Sequence, residues 1–302
     1  MDWKKKAKFI FITSAFAVLI LIVLSNVVKM TQISDKDFKT YHQGLSYIEK
    51  KDFENAYFNF SNVSKTSALY EIALLRQAMC ADELNDFDTA VKKFKMFIEK
   101  YPESIFVKKA YYSLAQNYFR QKDYNRAEKT FNDIRKLFKD SEYKIASSYY
   151  LGVIYTEKSK TEKDEKEIKD KLEKAKNYFV EYLTEAPDGR LSVNALKEIS
   201  VLNTNLTQKD NFILARAYYK NGFIKSAYDC FNKSYMSIAW GYLSLIYTKQ
   251  GDYSRAAAIF EENYPKYAAN LEEDFLREVI QNYAMIYPQG PKQGYYKALD
   301  MA

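Results

Sequence analysis

Between residues 41 and 260 the chain repeats one pattern of small, aromatic and polar positions. Four stretches carry it: YHQGLSYIEKKDFENAYFNF (41–60), LAQNYFRQKDYNRAEKTF (114–131), LARAYYKNGFIKSAYDCF (214–231) and LSLIYTKQGDYSRAAAIF (243–260). Each has a small residue (Gly44, Ala115, Ala215, Ser244) and a Tyr three positions later (Tyr47, Tyr118, Tyr218, Tyr247). A short polar break follows, such as Lys122-Asp123 or Gly251-Asp252. Then come an Ala twelve positions after the small residue (Ala56, Ala127, Ala227, Ala256) and a Phe four beyond it (Phe60, Phe131, Phe231, Phe260). Spacings of three and four place residues on one face of a helix, and the polar pair ends one helix and caps the next. The pattern predicts antiparallel helical hairpins. The small residue and the Ala face each other where the helices cross, because only small side chains let two backbones approach to ~8–10 Å. The aromatics fill the layer between successive hairpins.

Two further copies are less regular. One reads Ala78, Phe87, Ala90, Phe94, Phe97 and Pro102; the other reads Leu151, Gly152 and Tyr155, then resumes at Ala175, Phe179, Tyr182 and Pro187. The key alanines thus fall at 56, 90, 127, 175, 227 and 256, spaced 34, 37, 48, 52 and 29 apart. The long gaps have visible causes. Residues 157–176, EKSKTEKDEKEIKDKLEKAK, hold eight Lys and seven acids. With Glu162–Lys166, Glu165–Lys169 and Asp170–Lys174 at i,i+4, they predict a solvated, lengthened helix or helical turn. After the PDGR turn (187–190), LSVNALKEISVL (191–202) predicts an additional helix. The expected fold is all-α, an irregular superhelix of helical hairpins. Its parts are an array over 31–156, a charged insert over 157–174, a second array over 175–287, and the start of a further helix in 288–302.

The first thirty residues have a different character. Phe9 to Val28 is twenty residues without a charge, about 30 Å as a helix at ~1.5 Å per residue, which matches a bilayer's hydrocarbon core. Lys4, Lys5, Lys6 and Lys8 precede it, so residues 1–8 are expected in the cytoplasm and the bulk of the chain outside it. The apolar run exceeds the core of a secretory signal, and Leu24-Ser25-Asn26-Val27-Val28 offers no small-x-small cleavage site. The expectation is a single-pass, uncleaved anchor in a bacterial cytoplasmic membrane, with the array extracytoplasmic.

Composition narrows the chemistry. The 302 residues include 28 Tyr and 20 Phe but only 8 Gly and 5 Pro, too few turn formers for a β-sandwich or barrel. Cys80 and Cys230 lie far apart with no second Cys near either, so neither a disulfide framework nor a zinc site is expected. His42 has no neighbouring nucleophile or ligand cluster. Residues 1–8 supply +3 of the net charge of +7, and the remaining charge is interspersed in sign with no basic stripe, which argues against nucleic acid as a partner. There is no Gly-rich phosphate loop, paired Cys/His spacing or G-x-S-x-G elbow. No catalytic residue, cofactor or metal is predicted.

The small-residue, Tyr, Ala and Phe positions resemble those of the tetratricopeptide-repeat (TPR) family. Trp240 falls on that family's favoured Trp position, and Pro102 and Pro187 fall where its repeats commonly close. The resemblance implies an α-solenoid that binds proteins. It also implies that positions 5, 9, 12 and 13 of each first helix line a concave groove. Here these are Tyr112, Gln116, Phe119 and Arg120 in the third repeat, Tyr149 in the fourth, and Phe212, Arg216, Tyr219 and Lys220 in the fifth. Aromatics stand where the chaperone-binding subclass places polar clamp residues, so a C-terminal carboxylate is not the expected ligand. A helical or extended peptide, or a sugar face, suits such a groove; the alternative reading is that these rings simply pack between neighbouring hairpins.

Residues 94–155 are similar to the repeats of bacterial envelope TPR proteins. Residues 178–196, 213–231 and 286–302 look like the helical superhelix of soluble lytic transglycosylases, without their catalytic domain. Glu103-Ser104 is a Glu-Ser pair, but it sits in the Pro102 loop without the apolar helix that frames that family's acid. Three readings of function stay open. One is a membrane-anchored scaffold for envelope proteins or peptidoglycan-associated partners. Another is the helical arm of a glycan-cleaving enzyme whose catalytic domain is not in this chain. The third is a purely structural oligomerisation module. GYYKALDMA (294–302) reads as the start of a helix that stops without a cap, which leaves two alternatives open: a gene product that continues, or a frayed natural terminus.

Overall fold

The computed structural model describes residues 33–287, and the apolar run 9–28 and the segment 288–302 lie outside them. Among the described residues there are fourteen α-helices and no strand, and no helix is long and apolar enough to cross a membrane. The helices fall into two compact units, one ending at Phe138 and the other beginning at Lys139.

The first unit is three hairpins: α1 (Asp35–Glu49) with α2 (Phe53–Ser61), α3 (Tyr70–Glu83) with α4 (Phe87–Lys100), and α5 (Val107–Arg120) with α6 (Tyr124–Leu137). In the second, α7 (Glu142–Lys160) pairs with α8 (Glu165–Glu185), α10 (Gln208–Lys220) with α11 (Ile224–Phe231), and α12 (Met236–Lys249) with α13 (Tyr253–Tyr267). The additional helix α9 (Ser192–Val201) packs on α8 and α10. A last helix, α14 (Glu273–Ile286), follows a short 3₁₀ turn and packs on α12 and α13.

The repeat pattern sets the core. Ala56, Ala90, Ala127, Ala175, Ala227 and Ala256 are fully buried, and so are the six Phe residues four positions on: Phe60, Phe94, Phe131, Phe179, Phe231 and Phe260. The opposing small residues show why size matters there. A Cβ added at Gly44 would stand 2.7 Å from the Phe60 ring, and one at Gly152 2.6 Å from the Phe179 ring. At the same crossing in the last hairpin, the Ser244 hydroxyl donates to the Ala256 carbonyl at 3.0 Å.

Five hairpin turns share one construction. Lys51, Asn85, Lys122, Gly222 and Gly251 have positive φ (57° to 81°). The next amide donates to a carbonyl five residues back: Asp52 to Tyr47, Asp86 to Ala81, Asp123 to Tyr118, Phe223 to Tyr218 and Asp252 to Tyr247. This is the left-handed helix stop. In four of the five that residue is Asp, whose carboxylate caps the second helix by accepting from the amide three positions later. The fifth has Phe223 and no side-chain cap.

The charged stretch lengthens both helices of the fourth hairpin, with the turn at residues 161–164. Asp170 and Lys174 pair at 2.7 Å as expected. Glu162 lies in the turn rather than in a helix, so its partner is Lys171 at 2.9 Å instead of Lys166. Two turn amides and Lys171 hold the Glu162 carboxyl down to about 2. Lys176, last in the run, departs from the solvated reading. Only 3% exposed, its ammonium donates to Glu173 at 2.5 Å and to the Asn205 carbonyl at 3.1 Å, and lies 3.6 Å from Asp210. It ties α8 to the loop before α10.

Candidate groove on the second unit

The predicted groove residues reach different surroundings. In the first unit Tyr112 is half-buried with its ring edge-on to Phe131, and Phe119 packs against Tyr124 (centroids 5.8 Å apart). Gln116 is half-buried beside them on α5. Arg120 is exposed but engaged, its guanidinium bonded to Asp82 on α3. Burial pushes the Asp82 carboxyl up, and Arg120 pulls it back. Tyr149, in the second unit, sits between Phe179 and Tyr182 at 5.7 and 5.9 Å, and burial raises its phenol. These rings are half-turned into the layer against the hairpin Phe.

Phe212, Arg216 and Lys220 do come together. They form one wall, on α10, of a cleft of about 410 Å³. Its floor is α12, through Ile238 and Tyr242, and its other wall is the start of α14 with Leu271, Glu272, Asp274, Phe275 and Glu278. Tyr219 lies beside the floor, 5.5 Å from Tyr242, with the Lys249 ammonium 4.2 Å over its ring. The floor is a stack of rings: Phe231 against Tyr242 at 4.8 Å, and Tyr242 against Phe275 at 4.1 Å, both nearly parallel.

The sequence pattern did not anticipate the α14 wall, although Gly241 was a signal for it. At position 5 the other hairpins carry a ring or a leucine: Tyr41, Leu75, Tyr112, Tyr149, Phe212. Gly241 has no side chain there, and α14 fills the space. A Cβ at Gly241 would stand 3.0 Å from the Phe275 ring and 3.1 Å from Leu271 and Val279. Farther along α14, Tyr283 lies flat on Phe260 at 4.0 Å and donates to Glu261 at 2.6 Å.

The charges around the cleft are unevenly matched. Asp274 is held by Arg277 at 3.1 Å, and Lys220 lies 3.8 Å from Asp188. Arg216, Glu272 and Glu278 form no ion pair with any described residue. All three still act on the Tyr242 phenol. Burial pushes it up to about 12, Arg216 opposes the rise, and Glu272 and Glu278 add to it. Elsewhere Ser104, in the loop after Pro102, donates to Glu71 on α3 at 2.5 Å. Among the described residues no three His, Cys, Asp or Glu side chains converge on a metal position.

The family model described as Tetratricopeptide repeat matches residues 72–104 and 109–141. These two stretches are tetratricopeptide repeats. They cover most of α3 to α6, and a small residue facing a buried Ala and Phe recurs in the hairpins on either side. No curated protein matches the chain. Solved structures similar to it include MamA (16% identity, 66% of this chain and 90% of that one, TM-score 0.41). Another is a tetratricopeptide repeat protein from Parabacteroides merdae (11%, 82% and 99%, 0.38). A third is the TPR2AB domain of yeast Sti1 in complex with pHSP90 (15%, 87% and 98%, 0.38).

Proposed function

We propose that this TPR protein is a scaffold anchored in a bacterial cytoplasmic membrane by residues 9–28. Its helical hairpins would hold envelope proteins, or partners associated with peptidoglycan, on the outer side. The cleft between α10, α12 and α14 is the binding surface. The observation that carries this is the stack of Tyr242 on Phe275 in a cleft whose Arg216, Glu272 and Glu278 form no ion pair among the described residues. An apolar centre with a charged rim is the anatomy of a protein-binding patch. The apolar run behind four lysines supports the membrane location. The likeness of residues 178–196 and 213–231 to the arm of lytic transglycosylases supports a peptidoglycan-associated setting.

A photo-crosslinking residue placed at Arg216 in living cells tests the surface. A discrete adduct from position 216, and none from Lys163 on the solvated α7–α8 turn, is the expected result. Equal labelling from both positions, or none from 216, removes the groove from consideration.

A further inference from the structure

The two walls of the cleft differ in sign. Arg216 and Lys220 stand on α10; Glu272 and Glu278 stand on the facing wall, with α12 and its rings between them. Neither glutamate reaches Arg216 closely enough to pair, so the walls do not neutralise each other. Glu272, Glu278 and Lys220 are exposed and Arg216 is half-buried, which puts the charge on the rim and the rings at the centre. A small-molecule pocket buries its few polar groups around the ligand; this rim leaves them at the water boundary, as protein interfaces do.

We infer that the cleft takes a protein segment with opposite charges on its two flanks around a central apolar side chain. A basic residue meets Glu272 and Glu278, an acidic residue meets Arg216, and the apolar side chain lies on Tyr242 and Phe275. This deepens the proposed groove function and rests on it. A segment of one sign satisfies one wall and is repelled by the other. Charge pattern therefore sets which segments bind and in which direction they lie.

Three fluorescein-labelled peptides of 16 residues, identical except at two positions flanking a central Phe, separate the possibilities. One carries Lys and Glu at those positions, one two Lys, and one two Glu. Fluorescence anisotropy with the full-length chain in detergent micelles should show the mixed peptide binding about tenfold tighter than either other. Glu272→Lys combined with Glu278→Lys makes both walls positive and should move the preference to the two-Glu peptide. Arg216→Glu should move it to the two-Lys peptide. All three positions are at the surface or half-exposed, and circular dichroism checks that the variants remain helical. Equal affinities that Tyr242→Ala weakens together would overturn the charge pattern and leave the groove standing. No binding of any peptide, with no crosslink from position 216, would overturn both.

Discussion

At Gly152 the α7 backbone passes so close to Phe179 that even a methyl group would lie 2.6 Å from a ring that is itself fully buried. Alanine normally favours a helix over glycine by about 1 kcal/mol, but a clash with an immobile ring costs about 1–3 kcal/mol. Gly152→Ala should therefore lower the denaturation midpoint, as should Ala127→Leu at the equivalent crossing. A substitution at Lys163 should leave it unchanged. Equal midpoints for all three would mean that the helix crossings are misplaced. Cys80 offers a residue-scale test by pH. Burial pushes its thiol up to about 11, above the ordinary value of about 8.5. The neutral thiol is favoured in the fold, so this contribution is complete below pH 8.5 and is lost as pH rises towards 11. Urea unfolding of the native chain should thus weaken between pH 8 and 10.5 by more than that of Cys80→Ala. The six Ala and six Phe positions were legible because burial at a helix crossing tolerates few side chains, and that restriction recurs with the repeat. Lys176 was not. It closes a run of charged residues that reads as solvated, and only the fold brings Asp210 and the Asn205 carbonyl, some thirty residues away, against it.

Among the described elements, α11 is the shortest α-helix, at 8 residues, and the one hairpin helix of the five shared turns whose first turn lacks an Asp cap. Phe223→Asp would supply the carboxylate that Asp52, Asp86, Asp123 and Asp252 provide elsewhere. It should raise stability by about 1 kcal/mol, read as a higher urea midpoint. A fall would show that the contact of the Phe223 ring with Tyr218 outweighs a cap. Lys176→Met tests the link between α8 and α10. It strands the buried Asp210, and because Glu173 is half in water the expected cost is about 2–3 kcal/mol, below the usual figure for a broken buried pair. Restoring stability with Asp210→Asn in the same chain would show that the stranded charge is the cause. The hairpins and α9 could be read from periodicity and turn residues. The partnership of α12 with α14 could not, because the fit depends on a missing side chain at Gly241 and a ring contributed by a helix outside the recognised repeats.

For the whole molecule, the groove positions inferred from the family gave the α10 wall of the cleft, while Arg120 and Tyr149 were already committed to Asp82 and to the ring layer. Family register identifies which face a residue occupies; it does not reveal which of those residues a neighbouring hairpin has already engaged. The membrane proposal is tested on the intact chain. Full-length protein should stay in membranes after a carbonate wash, whereas a chain beginning at Thr31 should be released. Exported protein whose first residue lies near 26–31 would show cleavage and exclude the anchor.

The Ala–Phe crossings have a consequence for the order of events during synthesis. In each of the six hairpins the small residue, the Ala and the Phe come from neighbouring helices, so a hairpin can close as soon as its own second helix has emerged. Closing such short loops is fast, and within the first unit each finished hairpin presents a ready surface to the one behind it. A chain threaded N-terminus first would accumulate its layers one at a time, leaving little apolar surface waiting for distant sequence. The α12–α13 hairpin is the exception. Gly241 leaves its face open until α14 arrives, so the cleft is the last part of the described chain to acquire its walls.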